Sequence, residues 1–167
     1  MTRTRVPSPP WPQPVQRVAA CLRAAAVDAT VQEFPDGTPT ALAAAEAIGC
    51  EPGRIVKSLV FVCDGTYVLA LVPGDRRGDE QKVAAALGAR TARIARADEV
   101  LDATGFEPGA VAPFPLRAVV RTVLDRMLLQ HGKVWIGAGS DSHMAELSPS
   151  DLQRLTGAAT ADLVARG

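Results

Sequence analysis

Lys57 is the residue whose type and position in this sequence point most directly to chemistry. It interrupts a largely apolar run of strand-forming residues, 54–62, which follows a Pro-Gly pair and precedes an Asp-Gly pair. Such a run is typical of a strand covered on both faces, although periodicity alone does not exclude a short buried helix. Because a buried ammonium group without a partner is costly, Lys57 must pair with a carboxylate, extend to the surface or face a polar cleft. The first two alternatives are structural, and the third places a cation against a ligand.

Two glycine-containing segments stand out beside the lysine. Residues 105–115 contain three prolines and two glycines, which exclude regular structure there. Glycine permits a positive φ and proline restrains the residue before it, so this loop can hold backbone N–H groups outward. The second segment, residues 137–140, predicts a glycine-bearing turn that leads to His143.

The elements predicted around these segments alternate between helix and strand. An alanine-rich helix has a threonine N-cap, Thr40, and a glycine C-cap, Gly49, and an Asp-Gly hairpin turn follows the lysine strand. This rhythm predicts an α/β or α+β fold. Helices are predicted at residues 15–27, 41–48, 80–87, 97–103 and after Ser148, and strands at 30–34, 54–62, 66–72, 91–94, 118–124 and 134–136.

Length and composition favour one globular domain. The chain has 167 residues, of which 47% are hydrophobic, enough for one well-filled core. Five prolines within residues 1–14 exclude a helix or a central strand there. We therefore predict a mobile, proline-rich arm at residues 1–14 and a single domain at residues 15–167.

Charge and cysteine content narrow the class of function. A formal net charge of zero argues against holding a long nucleic-acid backbone, DNA included, but allows one terminal nucleotide to be gripped. Three cysteines without metal-ligand spacing predict buried thiols in a reducing compartment and neither a metal site nor a cofactor. The sequence shows no apolar segment of membrane-spanning length and no signal-peptide core. We expect a cytoplasmic protein without a membrane partner.

Five segments follow one another in a characteristic order. They are Thr40-Ala41 with the alanine helix, Ile55-Val56-Lys57-Ser58-Leu59-Val60-Phe61, Pro73-Gly74-Asp75-Arg76-Arg77, Gly109-Ala110-Val111-Ala112-Pro113-Phe114, and Gly137-Ala138-Gly139-Ser140 with His143 and Leu147-Ser148-Pro149-Ser150-Asp151-Leu152. In this order the sequence resembles the YbaK family, also called the prolyl-tRNA synthetase-associated or INS-like editing domain, and the resemblance covers residues 15–159, nearly everything but the arm.

The resemblance implies a single α/β domain with a curved mixed β-sheet, partly barrel-like, flanked by helices. It also implies hydrolysis of the ester between a wrong amino acid and the 3′ end of a tRNA. Lys57 would lie in the substrate cleft, and the loop from Gly109 to Pro113 would face the scissile carbonyl. Many members carry a double glycine or a serine before the proline of this loop, where the present chain has Ala112, so a hydroxyl for substrate contact is missing here.

Hydrolysis of an activated ester needs a positioned water and donors for the developing oxyanion, but no nucleophile motif. We therefore assign catalytic roles to Lys57 and to the N–H groups of Gly109, Ala110 and Val111. Lys57 would hold a phosphate or ribose oxygen as a point charge rather than act as a base, and the water would be activated by the ribose hydroxyl or by the backbone. The candidate substrate-binding residues are Thr38, Thr40, Ser58, Ala112, Pro113, Gly139, Ser140 and His143.

Several other polar residues have a structural and a functional interpretation. Cys50 and the alanines of residues 41–48 would line an amino-acid pocket or serve as ordinary core residues. Asp75 and Asp79 are predicted as turn and cap residues rather than catalytic acids, while Asp125 either compensates Lys57 or closes a turn. A phosphate-facing patch or a solvated rim is formed by Arg76, Arg77, Arg90, Arg93 and Arg96.

Three functions are compatible with the sequence. The first is a free-standing aminoacyl-tRNA deacylase that acts on tRNA for proline carrying alanine or cysteine, with the acceptor end presented alone, by prolyl-tRNA synthetase or by an elongation factor. The second is a non-catalytic or regulatory module that binds aminoacyl-tRNA ends or nucleotide-like ligands. The third is a structural domain whose lysine is merely paired, and it predicts an absent or filled cleft. Only the first predicts ester hydrolysis.

Overall fold

Two β-sheets and five helices make up the computed structural model, which describes residues 11–166. The helices are α1 (Gln13–Ala24), α2 (Ala41–Ile48), α3 (Glu80–Leu87), α4 (Ala97–Thr104) and α5 (Pro149–Thr156). The strands are β1 (Thr30–Glu33), β2 (Val56–Cys63), β3 (Thr66–Pro73), β4 (Ala92–Ile94), β5 (Val119–Asp125), β6 (Val134–Ser140), β7 (His143–Leu147) and β8 (Ala159–Ala161). Short 3₁₀ segments lie at Pro52–Arg54 and Arg126–Gln130.

The larger sheet has the strand order β4-β2-β3-β5-β8, with β3 at its centre. β2 and β3 form an antiparallel hairpin in which Lys57 pairs with Val72 and Ser58 with Leu71. β5 and β8 continue the sheet in parallel orientation. Residues 68–73 of β3 are buried throughout, as expected for a central strand with both faces covered. The central strand therefore fixes the position of β2 and of the lysine that β2 carries.

The smaller sheet is antiparallel and has the order β1-β7-β6. α1 begins directly over its bulged strand, since a Cβ built on Gly139 would lie 2.8 Å from the carbonyl oxygen of Pro14. A parallel bridge between Ile55 and Trp135 joins the two sheets just before β2 begins. The first residues of β2 consequently lie beside β6, and the cleft described below opens at this junction.

The prediction of a single α/β domain is confirmed, with two open sheets in place of one curved sheet. The local signals at the helix ends also hold. Thr40 caps α2 by accepting a backbone N–H at 3.1 Å, and Gly49 ends that helix with a φ of 83°. Asp79, predicted as a cap, accepts two N–H groups of the first turn of α3 at 2.9 and 3.1 Å. These positions needed only local hydrogen bonding and were therefore readable from the sequence.

The prediction of a turn at the second glycine segment is wrong. Residues 137–140 do not form a turn but belong to β6, whose register with β7 shifts between Gly137 and Ser140. Gly139 adopts a φ of 102°, which permits this β-bulge, and the turn follows at residues 141–142. The strand β7 after it was not predicted, nor was β8 near the end of the chain.

The predicted arm overlaps the first helix. α1 begins at Gln13, two residues before the expected start, with Pro14 in its first turn, where a missing N–H group is tolerated. Trp11 packs against the core rather than extending away from it. Residues 1–10 of the predicted arm lie outside the described residues, so its mobility stays a prediction.

Candidate active site

A cleft of about 360 Å³ opens where the two sheets meet, within the size range of small-molecule sites. Four parts of the chain contribute to its walls: the start of α2 with the segment before it, the start of β2, the loop after α4, and the β6–β7 hairpin. Its lining residues are Thr38, Pro39, Thr40, Ala41, Ala44, Ile55, Val56, Lys57, Ser58, Leu59, Gly109, Val111, Gly137, Ser140 and Met144.

Lys57 is half-buried in this cleft and donates a hydrogen bond from Nζ to the backbone carbonyl of Arg76. Burial lowers the pKa of its ammonium group, Asp75 acts in the opposite direction, and Arg77 lowers it further. The expected carboxylate influence thus comes from Asp75. Asp125 lies elsewhere, fully buried, and accepts the N–H groups of Met127 at 2.9 Å and Leu163 at 2.8 Å. Lys57 is therefore held at a carbonyl with its charge directed into a partly desolvated cleft.

The loop after α4 contains a tight turn that decides which N–H groups are free. Ala110 donates its N–H to the carbonyl of Glu107 at 2.9 Å, and Gly109 has a φ of 84°, as a type II turn with Pro108 in second position requires. Ala110 is therefore not available as an oxyanion donor. Among residues 11–166 no acceptor is recorded for the N–H groups of Gly109 and Val111, and both residues line the cleft.

The loop is pressed against the smaller sheet at one glycine. A Cβ built on Gly137 would lie 2.6 Å from the carbonyl oxygen of Val111, closer than real Cβ atoms approach. The absence of a side chain at Gly137 therefore allows the loop to seat on β6 beside the cleft, which Gly109 and Val111 line. Gly137 was not among the predicted site residues, because its role depends on a contact distant in sequence.

Two serine hydroxyls belong to the cleft lining and differ in their surroundings. Ser58 Oγ is buried and has no hydrogen-bond partner among the described residues. Ser140 Oγ lies 2.5 Å from Nδ1 of His143 and accepts the N–H of Ser142 at 3.0 Å. Ser58 therefore has a buried and unsatisfied hydroxyl, whereas the hydroxyl of Ser140 is oriented by its neighbours.

His143 lies behind the cleft and not in its wall. Its side chain is 2% exposed, packs edge-on against Trp11 with ring centroids 5.0 Å apart, and places Nε2 3.5 Å from a carboxylate oxygen of Glu33. Burial lowers the pKa of His143, opposed by the negative charges of Glu33 and Asp141. The buried ring is thus favoured in its neutral form at neutral pH.

The cleft brings together seven of the twelve predicted site residues. They are Thr38, Thr40, Lys57, Ser58, Gly109, Val111 and Ser140. The remaining five are not in its lining: Ala110 turns away, Ala112 and Pro113 are buried under the loop, Gly139 faces α1, and His143 lies behind Ser140. Cys50 lies in a separate surface hollow with Glu51 and Arg54.

Met144 is a cleft residue that sequence reasoning missed. It pairs with Gly137 in the β6–β7 ladder, and strand alternation directs it away from His143 and into the cleft. Recognition of residues 143–147 as a strand would have revealed it. The short alternating run His-Met-Ala-Glu-Leu is the only local signal.

The predicted arginine patch is divided by ion pairs. Arg93 binds Glu99 with two hydrogen bonds of 2.8 and 2.9 Å, and Arg96 pairs with both Asp98 and Glu99. The Arg93 guanidinium, with the N–H of Arg96, holds the pKa of Glu99 at about 2, below its ordinary 4.5. These two arginines are therefore committed within the domain.

Two features are absent from residues 11–166. No cluster of three or more His, Cys, Asp or Glu side chains is arranged to hold a metal ion there. None of the helices in this part of the chain is long and apolar enough to cross a membrane.

Known proteins resemble the chain in sequence and in structure. It is 36% identical over 127 residues to the uncharacterized protein YwhH of Bacillus subtilis, covering 75% of this chain and 80% of YwhH. It is 29% identical over 123 residues to EbsC of Enterococcus faecalis, described as a candidate Cys-tRNA(Pro)/Cys-tRNA(Cys) deacylase, covering 73% of this chain and 75% of EbsC. A crystal structure described as a candidate trans-editing enzyme for prolyl tRNA synthetase superposes with a TM-score of 0.87 at 36% identity, covering 94% of this chain and all of the other.

The chain also matches part of a larger enzyme, and most of its length matches one domain family. The chain spans only 24% of the proline–tRNA ligase of Desulforamulus reducens, to which it is 32% identical over 138 residues. Residues 35–155 match the aminoacyl-tRNA editing domain, and this match includes the cleft-forming segments from α2 to β7. The chain belongs to the aminoacyl-tRNA editing domain family.

Proposed function

We propose that this protein is an aminoacyl-tRNA hydrolase that acts in trans on mischarged tRNA, with tRNA for proline as the carrier. The observation that supports the proposal is the cleft of about 360 Å³, whose lining includes Lys57 together with Gly109 and Val111, two residues whose N–H groups have no acceptor among the described residues. A cation and two N–H donors, if directed into the cleft, would suit an ester carbonyl attached to a phosphorylated nucleoside. Membership of the editing family supports the same chemistry.

The reaction begins with the scissile carbonyl against the loop. The N–H groups of Gly109 and Val111 stabilise the oxyanion that develops as water adds to the carbonyl, and one such donor contributes roughly 3 to 4 kcal/mol in hydrolases. The tetrahedral intermediate then collapses, the ribose oxygen leaves with a proton, and the free amino acid is released. Among residues 11–166 no carboxylate or imidazole lines the cleft, so the attacking water is activated by the ribose hydroxyl of the substrate or by a backbone carbonyl.

Lys57 positions the substrate in this scheme. Its Nζ is already bound to a carbonyl and therefore acts as a donor, which fits binding of a ribose or phosphate oxygen better than removal of a proton from water. With no net charge on the chain and Arg93 and Arg96 committed to ion pairs, we propose that the acceptor end is the part of the tRNA that is held. Presentation by prolyl-tRNA synthetase is compatible with this limited contact.

The walls of the cleft suggest a small amino acid. Ala41 and Ala44 on α2 and Met144 on β7 contribute apolar surface to the lining, and α2 has little side-chain bulk to retract. We propose alanine or cysteine as the residue removed. The name of EbsC as a cysteinyl-tRNA deacylase candidate supports cysteine, and the resemblance to proline–tRNA ligases supports tRNA for proline.

The experiment that tests the proposal measures release of amino acid from tRNA for proline. This tRNA is mischarged with alanine, cysteine or serine, or correctly charged with proline. We expect hydrolysis of the alanyl or cysteinyl ester and protection of the prolyl ester. Binding of a non-hydrolysable aminoacyl-adenosine without hydrolysis of any ester would replace the proposal with a binding module. If the protein neither binds the analogue nor hydrolyses any of the esters, both the deacylase and the binding module are refuted.

A further inference from the structure

The cleft has to accommodate a positive charge that none of its lining side chains neutralises. An aminoacyl ester carries an α-ammonium group, and this inference rests on the proposed function in taking such an ester as the ligand. The polar side chains in the lining are those of Thr38, Thr40, Lys57, Ser58 and Ser140, and none is a carboxylate. An ammonium group withdrawn from water needs hydrogen-bond acceptors, so neutral oxygens must supply them.

The hydroxyls differ in their ability to accept. Thr38 directs its hydroxyl to the carbonyl of Asp141 at 3.2 Å, and Thr40 already accepts the capping N–H of α2 at 3.1 Å. Ser58 has no partner that fixes its hydrogen. Ser140 shares with Thr38 a hydrogen that is directed to a neighbour, and its contact is the shorter one, because Nδ1 of His143 lies 2.5 Å from its Oγ.

The direction of that hydrogen follows from the other side of the imidazole. Nε2 of His143 is buried, makes no hydrogen bond to another described residue, and lies 3.5 Å from a carboxylate oxygen of Glu33. That negative charge favours the neutral tautomer with its proton on Nε2, and Nδ1 then becomes the acceptor. Ser140 donates its hydrogen to Nδ1 and accepts the N–H of Ser142, and its second lone pair is open to a ligand when the hydroxyl of Ser142, 3.3 Å from Oγ of Ser140, points elsewhere.

The enclosure of His143 comes largely from outside the region shared with the family. Trp11 covers the ring, Glu33 is its cross-strand partner, and the start of α1 seats on Gly139. Trp11, Glu33 and the start of α1 all precede residues 35–155, the part of the chain that matches the family. The charged groups that act on the ring are Glu33 and Asp141, while burial favours its neutral form. The N-terminal part of the described chain thus supports a hydrogen bond that ends in the cleft.

We propose that His143 is a positioning residue that holds the hydroxyl of Ser140 as a hydrogen-bond acceptor for the α-ammonium group of the aminoacyl ester. Protonation of the ring, or its removal, would release the hydrogen of Ser140 and turn an acceptor into a rotating hydroxyl. In this proposal the β6–β7 hairpin selects substrates with a free α-amino group. The loop after α4 supplies the oxyanion donors separately.

The test measures binding and not turnover. The probes are 3′-deoxy-3′-(alanylamino)adenosine, whose amide is not hydrolysed as an ester would be, and the 3′-propionylamino analogue, which lacks only the amino group. We expect the wild type to prefer the alanyl compound by about 10-fold or more at pH 7, as a hydrogen bond to a charged group provides. Ser140→Ala and His143→Leu should each lose this preference, whereas His143→Asn, which offers an oxygen near the place of Nδ1, should keep it.

Controls separate positioning from folding. His131→Leu removes the other histidine and should leave the preference unchanged. Lowering the pH until the ring of His143 is protonated, as followed by its nitrogen NMR signals, should reduce the preference in the wild type but not in His143→Asn, although the amino group of the probe stays protonated. If His143→Leu does not fold, Ser140→Ala and the nitrogen NMR signal of Nδ1, expected as unprotonated, decide the question.

The outcomes distinguish this inference from the proposed function. Equal binding of the two probes by the wild type, or a preference that survives in folded Ser140→Ala, overturns the role given to Ser140 and His143 even if the protein hydrolyses mischarged tRNA. A preference that depends on both residues supports the inference even if no ester is hydrolysed, in which case the proposed function alone fails.

Discussion

Replacement of Lys57 by methionine tests the part of the site on which substrate positioning depends. Methionine keeps most of the aliphatic stem that lies in β2 and removes the ammonium group. Because Nζ is tethered to the carbonyl of Arg76 before substrate arrives, little side-chain ordering opposes its contact with a substrate oxygen. A hydrogen bond from a charged donor contributes about 1.5 to 3 kcal/mol, which corresponds to a loss of roughly 10- to 150-fold in kcat/KM.

The assay is single-turnover and steady-state deacylation of tRNA for proline charged with alanine or cysteine. Lys133→Met is the matched control, since Lys133 is 41% exposed and makes only a 3.8 Å surface pair with Asp28. A rise in KM alone would indicate ground-state binding by Lys57, and a fall in kcat would indicate contact in the transition state. A Lys57→Met protein that melts like the wild type and loses less than about 3-fold in kcat/KM would refute the reasoning, because so small an effect is below that of any charge-assisted bond.

Three further substitutions test the elements that hold the site. Gly137→Ala should displace the carbonyl of Val111, because its Cβ would lie 2.6 Å from that oxygen, and should lower kcat/KM by about 10-fold. Gly132→Ala is the control, since Gly132 has open space around it, and should change kcat/KM little. Equal deacylation rates of the two variants would contradict the seating of the loop. Glu99→Gln should lower the melting temperature at pH 7. The pKa of this carboxyl is 4.5 in the unfolded chain and about 2 in the folded one, so its charge stabilises the fold above pH 4.5 and this contribution is lost as the pH falls toward 2. A difference in melting temperature between wild type and variant that does not change with pH would contradict this. Asp125→Ala should cost about 3 kcal/mol in the free energy of unfolding measured with urea, since it leaves one buried and one partly buried N–H group without an acceptor, and a cost below about 1 kcal/mol would show that they find other partners.

Local hydrogen bonding and hydrophobic pattern made much of the fold predictable. The caps at Thr40, Gly49 and Asp79, and the hairpin after β2, each depend on residues within four positions of one another. The strand around Lys57 was readable because a run of buried apolar residues has few alternatives. The bulge at Gly139 was not, since a glycine with positive φ is common both to turns and to bulged strands.

The site was less predictable, because its chemistry depends on contacts between distant segments. The motif order brought Lys57 and the loop to the same cleft, but only the turn closed by Ala110 shows that this N–H group is occupied. His143 stands next to a cleft residue in sequence and faces away from the cleft, an orientation that depends on which strands pair. Asp75 rather than Asp125 influences Lys57 for the same reason.

The edges of both sheets have a consequence for anyone who would transplant this domain. β1 borders the smaller sheet and β8 borders the larger one, and both lie outside residues 35–155. A fragment trimmed to the shared region would therefore leave β7 and β5 with unpaired backbone groups, which invite strand addition between molecules. Fusion partners and shortened versions should accordingly retain residues 30–33 and 159–161, even though neither strand reaches the cleft. The solubility of an excised editing module is thus set at its two rims rather than at its catalytic centre.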